Sequence, residues 1–483
     1  MIYMSINTHD YENDVRVMIQ AFYPKEKIIT DCERAGECML RTEVSVTGSR
    51  IRAEIDCDAG GIEIDCDAGT AERKAVRNRL KRELYAVYCR LTGTELPWGT
   101  LTGIRPTKIP YAMLENGDSD GTIIGTLKSE YLMSEAKAGL SLSVAKKEHS
   151  LLSKLDYRDG CSLYIGIPFC PTTCLYCSFT SYPISMWQSR VDDYIKALEK
   201  ELCALGGFLK GKKINTVYIG GGTPTTLLPH QLDRLLFCIE KNFDLSGMLE
   251  FTAEAGRPDS IDAEKLKTLR RHGVERISVN PQTMNQKTLD LIGRRHTAEQ
   301  VVSAFETARE CGFENINMDL IVGLPGEGTN EVRHTLEEAA KLRPDSLTVH
   351  SLAIKRAARL NIFKDIYADW RIENTDEIME LTHYAAASMG LEPYYLYRQK
   401  NMAGNFENVG YAKQGREGLY NILIMEEQQS IWAAGAGAQS KIVRRNPARV
   451  DRIENVKDVS DYIDRIDEMI DRKKKYLEAE GNE

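Results

Sequence analysis

Three cysteines at the spacing C-x3-C-x2-C, Cys170, Cys174 and Cys177, carry the clearest chemistry in this chain. They follow an apolar run, residues 163–167, that reads as a buried strand stopped by Pro168. A loop of this kind can wrap its thiolates around one small object. Three thiolates suit an iron–sulfur cube with one iron left uncapped. Tetrahedral zinc would ask for a fourth Cys or His and the paired spacing of a zinc ribbon, which the stretch lacks. A disulfide does not suit three clustered thiols in a chain of cytosolic character.

Other polar residues stand at the ends of apolar runs. Gly220-Gly221-Gly222-Thr223-Pro224 follows residues 216–219. Its glycines let backbone approach a ligand and offer amides as donors, so a tight turn and a ligand contact stay equally open. No Lys-Ser/Thr follows, which rules out a phosphate-binding P-loop. Glu254 ends the run 249–253 and reads either as a structural acid or as a partner for an ammonium or a ribose. Asp319 is a charge inside the apolar stretch 317–325, where a buried carboxylate needs a partner or a ligand.

The stretch from Tyr164 to Cys177 resembles the signature of the radical S-adenosylmethionine superfamily, and its Y-I-G-I-P-F-C resembles the oxygen-independent coproporphyrinogen III dehydrogenases (oxidases). The long N-terminal extension and the segment 394–401, Y-Y-L-Y-R-Q-K-N, resemble the HemZ-type subgroup of that family. The resemblance implies a [4Fe–4S] cluster on Cys170, Cys174 and Cys177, with S-adenosylmethionine chelating the uncapped iron. On the cofactor side it implies Tyr164, Tyr176, Gly221, Gly222, Thr223, Glu254, Gln282, Arg294 and Asp319. Gln282 comes from an S-x-x-x-Q stretch, and Arg294 matches the arginine for the methionine carboxylate, a task its bidentate fork suits. Arg295 and His296 read as solvated or capping neighbours. Glu254-Ala255-Gly256-Arg257-Pro258 is one residue longer than the family's E-x-x-P.

The implied activity is oxidative decarboxylation of two propionates to vinyl groups, giving protoporphyrinogen IX. The implied partners are a tetrapyrrole substrate and an electron donor of flavodoxin or ferredoxin type. Two departures stand against a simple transfer. Ser178 and Phe179 follow Cys177 where the dehydrogenases continue C-x-C, and Gly166 replaces a histidine. A haem-binding chaperone-type relative therefore stays open as the alternative, although its His-Asn-x-x-Tyr-Trp stretch is not found around residues 399–406. Modification of RNA ranks last.

The elements that must position these residues follow a rhythm. Strands are expected at 162–167, 214–220, 249–255, 275–279, 314–322 and 345–352, with helices between them at 189–207, 230–242, 262–272, 298–311 and 330–342. Six β-then-α units imply parallel strands with right-handed crossovers. The expected fold class is α/β, an incomplete TIM-like (β/α)6 radical SAM barrel with ligands at the C-terminal strand ends. Residues 1–155 read as an N-terminal α+β domain, 156–352 as the barrel core, and 353–483 as a substrate-side α+β extension.

Within residues 1–155, the acidic repeat at 54–60 and 63–69 reads as two hairpin strands before it reads as a calcium loop. The Gly-, Pro- and Thr-rich run 96–108 reads as a docking segment. Most of the nine cysteines outside the loop, Cys203 and Cys238 included, read as small core residues. A net charge of −8 over 483 residues argues against a general nucleic-acid surface. No apolar run is long enough for a membrane span and the N-terminus lacks a signal-peptide core, so a cytoplasmic enzyme is expected. A tetracarboxylate substrate needs cations at its cleft, and Lys355, Arg356, Arg359, Arg398 and Lys400 are the candidates.

Overall fold

The computed structural model describes the chain except for residues 58–59, 104, 156–158, 356–357, 363–371, 400–401, 446–447 and 481–483. The residues sort into two compact units, Met1–Lys146 with Arg398–Asn401, and Lys147–Tyr397 with Met402–Glu483. Apart from Arg398 and Gln399, the described residues expected to form a C-terminal extension share one unit with the α/β core.

In the first unit, β1 (Ile2–Ile6), β2 (Ile28–Ile29), β3 (Leu40–Thr47), β4 (Arg50–Cys57) and β5 (Gly60–Asp67) form one sheet in the order β2-β1-β3-β4-β5. Alternating apolar residues give the sheet one buried face. On it the helices Glu12–Phe22 and Arg73–Thr92 lay Val15, Met18, Ile19, Leu80 and Leu84 against Ile2, Met4, Ile51 and Ile55. The acidic repeat is a hairpin, with Glu54 opposite Glu63 and Ile55 opposite Ile62. Its acids face arginines: Asp65 meets Arg50 at 2.8 Å and Asp56 meets Arg41 at 3.2 Å. The run 96–108 belongs to this unit. Trp98 is buried, and Gly99, at φ 52°, passes so close to the carbonyls of Tyr131 and Leu132 that any Cβ would collide.

The second unit holds β6 (Gly160–Ile167), the short pair β7 (Phe169–Cys170) and β8 (Tyr182–Pro183), then β9 (Lys213–Gly221), β10 (Glu250–Glu254), β11 (Arg276–Ser278), β12 (Asn315–Val322) and β13 (Ser346–Ser351). β6 and β9 to β13 lie side by side in chain order, all parallel. The crossovers are the helices Val191–Phe208, Pro229–Asn242, Ala263–Arg271, Ala298–Glu310 and Thr329–Leu342. The strands alternate: one face carries apolar residues such as Phe251, Ala253, Ile277, Ile316, Met318, Leu347 and Val349, and the other carries polar ones such as Thr216, Thr252, Glu254, Ser278, Asn317, Asp319 and Thr348. This is the expected partial barrel, an α/β fold.

The remaining strands continue the sheet at both edges. β14 (Glu392–Tyr397) and β15 (Asn408–Ala412) add antiparallel beyond β13, while β16 (Ser430–Ala434) runs parallel to β6 and carries β17 (Gln439–Arg445) and β18 (Ala448–Glu454) beyond it. The open barrel's two raw edges are thereby paired. Cys203 corrects the sequence reading: it is exposed, one position off the buried stripe of Tyr194, Ile195, Leu198, Leu202 and Leu205, whereas Cys238 is buried. No helix among the described residues is long and apolar enough to cross a membrane.

Candidate cofactor site at the strand ends

β6 ends at Ile167, and Pro168 turns the chain into the cysteine loop. The loop is held from several sides. Gly222 N–H donates to the Ile167 carbonyl and Thr223 N–H to the Phe169 carbonyl, both at 2.7 Å. Leu175 N–H donates to the Ile292 carbonyl at 2.9 Å, and Thr172 Oγ1 to the Gly293 carbonyl at 3.1 Å. Tyr182 N–H reaches the Pro168 carbonyl at 2.7 Å, where β7 and β8 close the loop on itself.

Arg257 is the clamp that sequence reasoning misses. It is 3% exposed, and its Nη1 lies 3.1 Å from Thr172 Oγ1 and 3.7 Å from Cys174 Sγ. Its Nε and Nη2 grip Asp259 at 3.0 and 2.9 Å, which keeps the buried guanidinium paired. The one signal in the sequence was the additional residue in the stretch 254–258.

The glycines act by their size. The amides of Gly222 and Thr223 are taken inside the chain, so of the two readings left open for this stretch the tight turn describes these two N–H groups. A Cβ on Gly222 would lie 2.5 Å from the Phe169 carbonyl oxygen and 3.0 Å from Cys170 Sγ. One on Gly220 would lie 3.0 Å from the Glu254 carboxyl carbon. Thr223 Oγ1 is 3.5 Å from Cys170 Sγ. Burial, and then the neighbouring Cys174 and Cys177, push the Cys170 thiol up to about 11, and burial raises Cys177 as well. Such thiols ionise against a cation, as metal ligation provides. Among the described residues no three His, Cys, Asp or Glu side chains converge as one metal ion demands. A cube takes each thiolate on a different iron and asks for no such point.

Around the loop stand the other expected residues. Glu254 accepts from the Tyr218 hydroxyl at 2.6 Å, and the rings of Tyr218 and Tyr420 stack at 4.4 Å, with Tyr164 stacked 6.2 Å from Tyr218. Burial pushes Glu254 up to about 7, with a further push from Asp319. Asp319 goes the other way. Burial raises it, but contacts from His350, Asn317 and Thr348 outweigh that and hold it below the usual carboxylate range.

Arg294 is buried beside the Tyr176 hydroxyl and the Cys174 thiol. Its Nη1 donates to the Asn280 carbonyl and, at 3.4 Å, to that of Gly256, while its Nε has no hydrogen-bond partner. Gln282 sits at φ 70°, held by its N–H on the Asp319 carbonyl at 3.0 Å and by the Ile321 N–H on its own carbonyl at 2.9 Å. Its Oε1 is also buried without a partner. A strained non-glycine backbone and orphaned donor and acceptor atoms mark a shell shaped for a polar ligand. That shell fits a cluster-bound amino acid moiety.

His296 corrects the sequence reading. It is 0% exposed with neither ring nitrogen hydrogen-bonded, and burial, then Arg294 and Arg257, push it down to about 3. Arg295 is the exposed neighbour. The sequence shows no difference between the two because helical capping at Thr297 begins just beyond them.

The candidate substrate cations separate. Lys355 stands 5.6 Å over the ring of Phe179, which is 71% exposed, and Arg359 is exposed at the start of the helix Arg359–Ile362. Arg398 lies in the first unit instead, 6% exposed, 5.6 Å from the Trp98 ring and donating to the Leu101 carbonyl. Arg356 and Lys400 lie outside the described residues.

Comparison with known proteins agrees with this fold. The family model described as the radical SAM superfamily matches residues 164–339. The chain is 42% identical over 470 residues to the oxygen-independent coproporphyrinogen-III oxidase-like protein HemZ of Bacillus subtilis, covering 95% of this chain and 93% of that one. It is 35% identical to the heme chaperone HemW of the same organism over 58% of this chain and 71% of that protein. The solved coproporphyrinogen III oxidase HemN of Escherichia coli superposes with a TM-score of 0.51 at 24% identity, over 66% of this chain and 73% of that one, which speaks to the fold. The superfamily's cofactors, a [4Fe–4S] cluster and S-adenosylmethionine, are also those of this chain. Because the likeness to HemZ runs well beyond the barrel into both units, the chain belongs to the HemZ-type, oxygen-independent coproporphyrinogen-III oxidase-like family of radical SAM proteins.

Proposed function

We propose that the protein is an oxygen-independent coproporphyrinogen III dehydrogenase that converts two propionates of its substrate to vinyl groups, yielding protoporphyrinogen IX. The observation that carries this reading is the cysteine loop clamped at the strand ends beside a buried shell with orphaned polar atoms, Arg294 Nε and Gln282 Oε1. When bound, the cluster and S-adenosylmethionine supply one-electron cleavage of a carbon–sulfur bond and a hydrogen-abstracting radical.

The chain's own residues bind, orient and enclose. Cys170, Cys174 and Cys177 hold the cube. Glu254 receives the cofactor's amino group, Arg294 its carboxylate, and Asp319 with Gln282 its remaining polar groups. Tyr164, Tyr176 and the segment Gly221-Gly222-Thr223 wall the site, the glycines by giving room. At the substrate side Lys355 and Arg359 meet propionates. Arg398 fits that role poorly, since the Trp98 face and the Leu101 carbonyl already engage its guanidinium. The reaction draws its electron from a flavodoxin- or ferredoxin-type donor, and the net charge of −8 gives no reason to invoke nucleic acid.

The test is anaerobic reconstitution followed by incubation with coproporphyrinogen III, a reductant and S-adenosylmethionine. Expected is a tetrapyrrole product lighter by two CO2 and two pairs of hydrogens. Cofactor cleavage with the substrate mass unchanged would refute the dehydrogenase reading. Phe179, exposed two residues beyond Cys177, favours a second reading in which a flat haem lies over it and the protein handles haem as HemW does. Stoichiometric haem binding, lost in Phe179→Ser, would select that reading.

A further inference from the structure

Asp319 does not stand alone on β12. Parallel pairing sets Ile321 opposite His350 and Asp319 opposite Thr348 on β13, which brings the imidazole beside the carboxylate. His350 Nε2 is 3.8 Å from Asp319 Oδ2, and its other nitrogen, Nδ1, is 3.3 Å from the hydroxyl of Tyr397, the last residue of β14. The two rings meet edge to face at 6.4 Å, and Tyr397 in turn stacks on Tyr395 at 6.1 Å. On its far side Asp319 Oδ1 accepts from Asn317 Nδ2 at 2.7 Å, and its backbone N–H donates to Asn280 Oδ1 at 3.2 Å. Tyrosine, imidazole and carboxylate thus form one line running from the added strand into the barrel.

The line matters because the barrel holds two carboxylates near each other. Glu254 and Asp319 repel, and like charges in a low-dielectric interior cannot both ionise without help. Tyr218 donates to Glu254, but only the Asp319 side has an imidazole. A neutral imidazole that faces the carboxylate with Nε2–H leaves Nδ1 as an acceptor, and the Tyr397 hydroxyl at 3.3 Å is in place to donate to it.

We propose that His350, backed by Tyr397, is the positioning residue that holds the Asp319 carboxylate turned toward the cofactor. The proposal rests on the reading, given above, that Asp319 faces S-adenosylmethionine. His350 touches no reacting atom in this account and acts through Asp319. Its counterpart in metal sites is the outer partner that orients a ligating side chain, whose loss weakens binding by about 10- to 100-fold.

The experiment is a double-mutant cycle on the full-length, reconstituted protein, reading S-adenosylmethionine Kd by calorimetry, with iron content and melting temperature as checks on folding. His350→Phe, which keeps the ring shape and loses both nitrogens, is expected to raise Kd about tenfold or more. His350→Gln keeps an N–H for Asp319 and is expected to recover most of that loss. Asp319→Asn is expected to weaken binding by itself, and His350→Phe added to it should change Kd by less than about threefold, since the two act as one unit. Effects that multiply in the double variant would overturn the proposal, as would an unchanged Kd in both folded His350 variants while Asp319→Asn binds weakly. An unchanged Kd in Asp319→Asn would instead remove the reading beneath it.

Discussion

The Arg257 guanidinium bridges two stretches far apart in the chain, with Nη1 3.7 Å from Cys174 Sγ and Nη2 2.9 Å from Asp259 Oδ2. A buried cation beside a thiolate loop both fixes the loop and favours the anionic sulfur. Removing it leaves Asp259, Thr172 and Cys174 without their common partner.

Arg257→Leu is therefore expected to lower iron retained after reconstitution and to speed its loss to a chelator by about tenfold or more, a loss of outer-shell support. Arg257→Lys keeps the charge but not the fork that reaches Asp259 and Thr172 together, and should fall between. Iron and sulfide content, followed over time with chelator, checks this. Equal retention in all three proteins would show that the clamp is only a packing contact.

Cys170→Ala, Cys174→Ala and Cys177→Ala should each abolish the broad visible absorption of a cubane cluster. Cys203→Ala, at an exposed position, and Cys311→Ala should leave it intact. A cluster of full intensity in any of the first three would refute the ligand assignment.

Glu254 gives the cofactor affinity a pH dependence. Burial lifts its carboxyl to about 7, so in the free protein below that pH it is protonated and lacks the charge that draws the cofactor's amino group. Each pH unit below about 7 is expected to weaken S-adenosylmethionine binding about tenfold, the linkage of one proton released on binding. The stability sign is the reverse. A raised carboxyl pKa contributes stability below its unfolded value, lost as pH rises through about 7, so the ligand-free Glu254→Gln protein should gain on the parent at pH 8. Calorimetric titrations and thermal melts across pH 5.5 to about 8.5 check both parts.

Gly222→Ala should prevent cluster assembly, because the added methyl would need the space of the Phe169 carbonyl and Cys170 Sγ. Gly139→Ala, on the helix Glu135–Leu152 with nothing within 4 Å of the new methyl, is the control. It should raise stability by about 0.5–1 kcal/mol through helix propensity. Iron content for the first and denaturant midpoints for the second decide the matter.

Much of this protein was legible without coordinates because its signals are local. The spacing of Cys170, Cys174 and Cys177, the six apolar runs with helical stripes between them, and the hairpin of the acidic repeat all repeat within a few residues, where periodicity and turn chemistry operate. Glu254 and Asp319 stood out because a charge at the end of, or inside, an apolar strand has few reasons to be there. Tertiary structure decided what joins those pieces. Arg257 became a clamp only when β10's end met the cysteine loop, and His296 became a buried neutral ring only when Arg257 and Arg294 closed over it. The amides of Gly222 and Thr223 turned inward because β9 pairs with β6 in a register that sets Gly221 beside Ile167. Arg398 left the expected substrate rim for Trp98, and His350 met Asp319 and Tyr397, through partners tens to hundreds of residues distant. Sequence patterns record which face of an element is apolar. Which polar atoms meet across elements depends on how the sheet curves and closes, and no local period encodes that.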